Sequence, residues 1–241
     1  MDREKLFEEF IKECEEHEEF CGQGNPNADI LIIGKEPYNR IPLTDEKDIN
    51  KRLQENYDLC RNTKDRDAER PKDKNPTWSN YQKLIEAIDT SRRHATNVRD
   101  FEKMAFTTEL NTAFRPKAIL DEETKENIRL RLDFFKQSGF IRSFNIVVLA
   151  CGNFITNNKE SGFQINETFG VEYDLNGGEH KKEYKAGHWF YTHHGDDGKK
   201  LVIHTRQLSN LRDYTFITHM ANEIKKHQDE INQLCEHLNI K

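Results

Sequence analysis

The sequence predicts an α/β protein, a three-layer α/β/α sandwich around a central, mainly parallel four-stranded sheet. Three observations carry the prediction. Four short apolar runs, at residues 28–33, 104–110, 145–150 and 201–204, have the length and β-branched content of buried strands. Between them lie polar stretches whose apolar residues recur at helical spacing. Strands separated by helices call for right-handed crossovers, which lay helices on both faces of a parallel sheet.

The elements follow in order. Residues 2–20 place Leu6, Phe7, Phe10, Ile11 and Cys14 on one stripe with acids opposite, an amphipathic surface helix. The run at 28–33 is preceded by Asn25-Pro26-Asn27 and closed by Gly34, which suits a buried parallel strand. A polar insertion spans 40–74, where Ile49, Leu53, Tyr57 and Cys60 keep a period near four and predict one helix. A connection this long is usually functional or mobile. Residues 78–91 read as a helix, 104–110 as the second strand, and 121–138 as a helix beginning near Asp121. The third strand, 145–150, ends at Cys151-Gly152-Asn153. A second polar insertion, 157–200, alternates on either side of Asn176-Gly177-Gly178, the mark of a hairpin inserted before the last core strand. The tail from 213 to 238 repeats Ile217, Ala221, Ile224, Ile231, Leu234 and Leu238, one long helix packed on the sheet. No Pro/Gly/Ser-rich linker divides the 241 residues, so one domain over 1–241 is expected.

Composition narrows the class. Charged residues make up 33% of the chain, no run approaches a membrane span, and no apolar signal-peptide core follows the first Met; a cytoplasmic monomer is expected. Residues 1–20 hold nine acidic and three basic side chains, so the whole net charge of -6 sits there and the body is neutral. Within that body, clusters at Arg61, Lys64, Arg66, Arg70, Lys72 and Lys74, at Arg92 and Arg93, and at Lys181, Lys182 and Lys185 are either phosphate contacts or solvated loops. Cys14, Cys21, Cys60, Cys151 and Cys235 are scattered, odd in number and without a CxxC pair, which argues for reduced thiols rather than disulfides or a zinc site. His188, His193 and His194 lack a third ligand at fixed spacing and read as a solvent-facing hairpin. No metal is expected, and no GxGxxG, P-loop or GxSxG motif announces a cofactor or an activated serine.

Two motifs stand directly after strand-like runs: Gly34-Lys35-Glu36-Pro37-Tyr38-Asn39 after ADILII, and His204-Thr205-Arg206-Gln207-Leu208-Ser209 after KKLVI. In open α/β sheets ligands sit beyond the carboxyl ends of parallel strands, so a carboxylate, an amide and an imidazole delivered there can meet one substrate. This pairing resembles the uracil-DNA glycosylase superfamily. That superfamily has Gly, a polar residue, Asp or Asn, and Pro after its first strand, and a motif beginning with His after its last. The resemblance covers roughly residues 22–238 in motif order and strand placement.

It implies a monofunctional DNA glycosylase that flips a uracil or modified pyrimidine out of DNA and hydrolyses its N-glycosidic bond, with DNA as partner and no cofactor. Glu36 and Asn39 correspond to the residues that place water and support positive charge on the sugar; otherwise they are a strand-end carboxylate and a turn-forming Asn. His204 corresponds to the donor to the base carbonyl, Gly34 and Lys35 to backbone facing the base, and Asn111 to the amide that reads the base edge. Tyr38 and Trp78 are the stacking candidates, Trp78 being equally suited to anchor a helix start. Arg206 and Leu208 fall where the family inserts a wedge into the duplex, and Leu208 fits the core as well. Lys35 is also a possible Schiff-base lysine, though the family uses water.

The motifs differ from the family's. Glu36 replaces Asp or Asn, Asn39 stands where His is common, and Thr205-Arg206-Gln207 replaces a Pro-containing run. With the two insertions bordering the same strand ends, these changes point away from simple uracil specificity. One form of the expectation is an antiviral defence enzyme acting on hypermodified cytosine of phage DNA. The alternative is a non-catalytic nucleic-acid-binding module of the same fold.

Overall fold

Asp2 accepts a hydrogen bond from the Glu4 amide and so starts α1 (Arg3–Glu16), which buries Phe7, Phe10, Ile11 and Cys14 along one stripe. The computed structural model describes residues 2–64, 68–71, 75–92, 98–158, 162–173, 181–185, 187–209, 211 and 214–239. After α1 come β1 (Gln23–Gly24) and β2 (Ile30–Gly34), then α2 (Glu46–Arg61), β3 (Arg70–Pro71), α3 (Pro76–Ile88), β4 (Val98–Arg99) and β5 (Ala105–Glu109). The chain continues through α4 (Glu122–Gln137), α5 (Gly139–Arg142), β6 (Ile146–Leu149), β7 (Asn157–Asn158), β8 (Gly162–Phe163), α6 (Gln164–Phe169) and β9 (Glu172–Tyr173). It ends with β10 (Lys181–Lys185), β11 (His188–His194), β12 (Leu201–Thr205) and α7 (Tyr214–Asn239). Side-chain caps start the helices: Asp45 for α2, Asn75 followed by Pro76 for α3, and Asp121, as expected, for α4.

The main sheet has eight strands in the order β1-β5-β2-β6-β12-β11-β10, with β9 also on β11. Its heart is β5, β2, β6 and β12, all parallel, and these are the four strands read from the sequence. The expected four-stranded sheet is therefore too narrow: β1 adds antiparallel to β5, while β9, β10 and β12 all pair antiparallel with β11. The expectation of a solvent-facing hairpin over His188, His193 and His194 is also corrected. Strand β11 is an interior strand, because Phe190 on one face packs against Phe216 and His193 is fully buried with Nδ1 3.2 Å from the Val202 carbonyl. Its predicted turn, Asn176-Gly177-Gly178, lies outside the described residues.

Period two sends strand side chains to opposite faces. Leu31, Ile33, Val147, Leu149 and Val202 join a cluster with Phe7, Phe10, Leu53, Tyr57, Phe135 and Ile165. Ile30, Ile32, Ile146, Val148, Leu201 and Ile203 join another with Leu84 and Ile85 of α3 and Phe216, Ile217, Met220, Ala221 and Ile224 of α7. The α7 residues in that cluster run from Phe216 to Ile224, whereas Leu234 is 49% exposed. Among the described residues, no helix is long and apolar enough to cross a membrane.

Candidate functional site

The parallel register aligns the carboxyl ends of β5, β2, β6 and β12, so Glu109, Gly34, Leu149 and His204 finish at one edge of the sheet. From there the chain after β2 is stitched to the chain after β5. Leu110 and Asn111 donate their amides to the Gly34 and Lys35 carbonyls, and Asn39 and Leu43 donate theirs to the Arg115 and Phe114 carbonyls. This second seam holds the first motif beside Asn111.

There Asn111 Nδ2 donates to Glu36 Oε2 across 3.0 Å. Burial raises the Glu36 pKa, opposed by that hydrogen bond and by the charges of Arg115 and Lys35. Glu109 is the neighbour that sequence reasoning missed. Its carboxyl lies so close over Gly34 that a Cβ there would come within 2.2 Å of Glu109 Oε2, so any larger residue would have to push the Glu109 carboxyl aside. Burial, and then the charge of Glu36, push the Glu109 carboxyl up to about 8, against the pull of Arg131. Arg131 is itself buried and donates Nε to the Glu109 carbonyl at 3.3 Å. Among the described residues, Glu36 Oε1, Glu109 Oε2 and Asn111 Oδ1 are buried oxygens without a hydrogen-bond partner.

The second half of the site forms around His204. Its Nε2 lies 2.8 Å from the Gly152 carbonyl, which as an acceptor fixes the proton on Nε2. Burial lowers the His204 pKa to about 4, opposed by that bond, so the ring is neutral at pH 7. Tyr191 is its register partner on β11 and stacks at 6.0 Å, while Trp189 meets it edge-on at 5.2 Å. These rings, with Gly152, Asn153, Ile155, Thr156, Asn157 and Asn158, wall an open cleft of about 410 Å³. Trp189 and Tyr191 were missed, although the alternation His188-Trp189-Phe190-Tyr191 puts both rings on one face of a strand.

Lys35 connects the halves. Its Nζ is 3.5 Å from Asn153 Oδ1 and 4.4 Å from the centre of the Phe154 ring. Gly152, at φ +57° in the left-handed region, lies between Lys35, Arg206 and His204, with the Arg206 Cα 3.8 Å from the place of a Cβ. Arg206 reaches the turn before β11, donating Nη1 to the Gly187 carbonyl at 2.7 Å.

Other expected residues stand apart. Asn39 turns its amide into its own loop, donating to the Ile41 carbonyl, which is the turn geometry. Tyr38 is 69% exposed and pairs through its backbone with Arg115. Trp78 packs against the α3/α7 core cluster, with the Arg99 guanidinium 3.9 Å from its ring centre; it anchors a helix start. Leu208 is fully buried in that cluster, its carbonyl held by Asn80 Nδ2, so the wedge assignment is corrected to core. Of the basic clusters, Arg61 is paired with Glu15. Arg66, Lys72, Lys74 and Arg93, and the side chains of Arg92, Lys181, Lys182 and Lys185, lie outside the described residues.

No protein-family model matches the chain, and no curated protein matches its sequence.

Proposed function

We propose that this protein is a DNA glycosylase of the uracil-DNA glycosylase type, which flips a uracil or modified pyrimidine from DNA and hydrolyses its N-glycosidic bond. The observation that carries the reading is the arrangement of a carboxylate–amide pair, Glu36 and Asn111, and a neutral imidazole, His204, on two sides of Lys35 at the carboxyl ends of parallel strands of one sheet. Helices against both faces of that sheet suit the three-layer arrangement of the superfamily.

Each group has a task. His204 Nε2–H is a donor that the Gly152 carbonyl now occupies. A base carbonyl taking that place receives the bond where negative charge gathers as the base departs; one such donor is worth about 2.7–4 kcal/mol of barrier. Glu36 in its ionised form orients water and supports the positive charge of the sugar. Trp189 and Tyr191 supply the aromatic surface on which an extruded base rests, and Arg206 the charge for a neighbouring phosphate. The width of the cleft and its amide wall of Asn153, Asn157 and Asn158 favour a base with a polar substituent, such as the hypermodified cytosines of phage DNA.

A second reading, a module that binds DNA without cleaving it, draws on Asn39, whose amide is engaged with the Ile41 carbonyl of its own loop. The test is an abasic-site assay on DNA containing uracil, hydroxymethylcytosine or glucosylated hydroxymethylcytosine. Release of one base, lost in His204→Ala and Glu36→Gln, supports the enzyme. Tight binding with no release from any member supports the module.

A further inference from the structure

Lys35 is the residue of the site that base release leaves without a task. Its side chain runs from the end of β2 to the cleft wall. Its Cε lies 3.6 Å from the place a Cβ on Gly152 would take, and its Nζ reaches Asn153, a residue of the cleft. Among the described residues it forms no ion pair; its neighbours are an amide oxygen and the Phe154 ring. A lysine that is desolvated and set beside another cation is the form in which this side chain becomes a nucleophile. Both conditions are met: burial lowers the Lys35 pKa and Arg206 lowers it further, while Cys151 and Glu36 act in the opposite sense.

We propose that Lys35 forms an imine with the aldehyde of an abasic deoxyribose, giving the protein a strand-cleaving lyase activity in addition to base release. The proposal rests on the glycosylase reading for the arrival of an abasic sugar in this cleft, and it replaces the expectation of a monofunctional enzyme.

The steps balance without an oxidant or reductant. The Nζ lone pair attacks C1′ of the ring-opened sugar, the carbonyl π pair moves to oxygen, and a proton passes from nitrogen to that oxygen. A proton from solvent then goes to the carbinolamine hydroxyl, which leaves as water while the nitrogen lone pair forms the C=N bond, giving a protonated imine. Glu36, next in sequence and near enough for its charge to act on Lys35, takes a proton from C2′. The C–H electron pair forms the C2′=C3′ double bond while the C3′–O bond breaks, and the phosphate leaves with the electrons of that bond. Water then adds to C1′ and returns Lys35 as the free amine.

The test uses duplex DNA with one abasic site prepared beforehand, so that no base release is needed, with and without sodium borohydride. The expected result is a borohydride-dependent covalent adduct whose tryptic mass maps to Lys35, together with a nicked strand ending in an unsaturated aldehyde. Both are lost in Lys35→Gln and in Lys35→Arg, and thermal melting checks that each variant folds; if one does not, the mapped wild-type adduct decides. No wild-type adduct, an adduct on another amine, or trapping retained by folded Lys35→Arg overturns the proposal. Base release is scored separately on intact-base DNA. Release without an adduct removes the lyase alone, and an adduct without release removes the glycosylase reading alone.

Discussion

Asn111 Nδ2 donates to Glu36 Oε2 across 3.0 Å, and this bond decides which edge of the Asn111 amide remains. An ionised carboxylate only accepts, so the amide must turn its N–H₂ toward Glu36 and leave Oδ1 as a buried acceptor.

The first prediction follows from that bond. Asn111→Leu removes the donor that helps keep Glu36 ionised, so the Glu36 pKa rises further and a buried carboxylate loses its hydrogen bond. The expected loss is about 1–3 kcal/mol of stability at pH 7, read from the urea midpoint. Carbon-13 titration of the glutamate carboxyls should show the Glu36 midpoint moving up in the variant.

Glu109 gives the protein a pH dependence of definite sign. Its folded pKa, about 8, lies above the ordinary 4.5, so the folded state keeps a proton that the unfolded chain releases. Stability from this group is fully present below about 4.5 and is lost as pH rises toward 8. In Glu109→Gln, which keeps the shape of the neutral acid, that decline should disappear. Urea denaturation of both proteins across this window checks it.

His204 acts in the opposite direction. Its pKa falls from 6.5 to about 4, so its contribution is present above 6.5 and lost as pH drops through 4. His204→Gln, which does not titrate, should lose less stability on acidification. The imidazole resonances of the wild type should remain those of the Nε2–H tautomer at pH 6 and change only near 4.

The aromatic assignment is testable by fluorescence because the chain has two tryptophans, Trp78 and Trp189. With Trp78→Phe the remaining emission comes from the cleft, and single-stranded DNA should quench it; with Trp189→Phe the remaining Trp78, capped by Arg99, should respond weakly. Trp189→Ala should weaken DNA binding by about 1–3 kcal/mol.

Much of this was legible in the residues. The four parallel strands were, because β2, β6 and the first three residues of β12 are apolar runs buried on both faces. Helix α4 was, because Asp121 marks its start, whereas α3 was read over 78–91 and runs over Pro76–Ile88, capped by Asn75. Strand β11 was not, since five of its seven residues are His, Tyr or Thr, and what covers them comes from tertiary packing on α7 and pairing with β12 rather than from a local apolar pattern. Glu109 was hidden for a similar reason: nothing local distinguishes a strand-end glutamate from a solvated one, and only the Gly34↔Glu109 register puts its carboxyl over a glycine beside Glu36. Trp78 and Leu208 were readable only as pairs of alternatives, since a wedge or stacker and a core residue use the same side chains.

Leu208 separates those alternatives by energy. A wedge that enters DNA is exposed in the free protein, and its truncation costs binding while leaving stability nearly unchanged. Here Leu208 is fully buried among Phe216, Leu211 and Trp78 in the α3/α7 cluster, and Asn80 fixes its backbone carbonyl, so no rotation of the side chain alone presents it to a duplex. Leu208→Ala should therefore cost about 2–5 kcal/mol of stability, as large-to-small substitutions in packed cores do, and lower the urea midpoint accordingly. DNA affinity measured where the variant is fully folded should stay near that of the wild type. Unchanged stability with weakened DNA binding would return Leu208 to the duplex, and the segment after His204 would then have to unpack from α3 on binding.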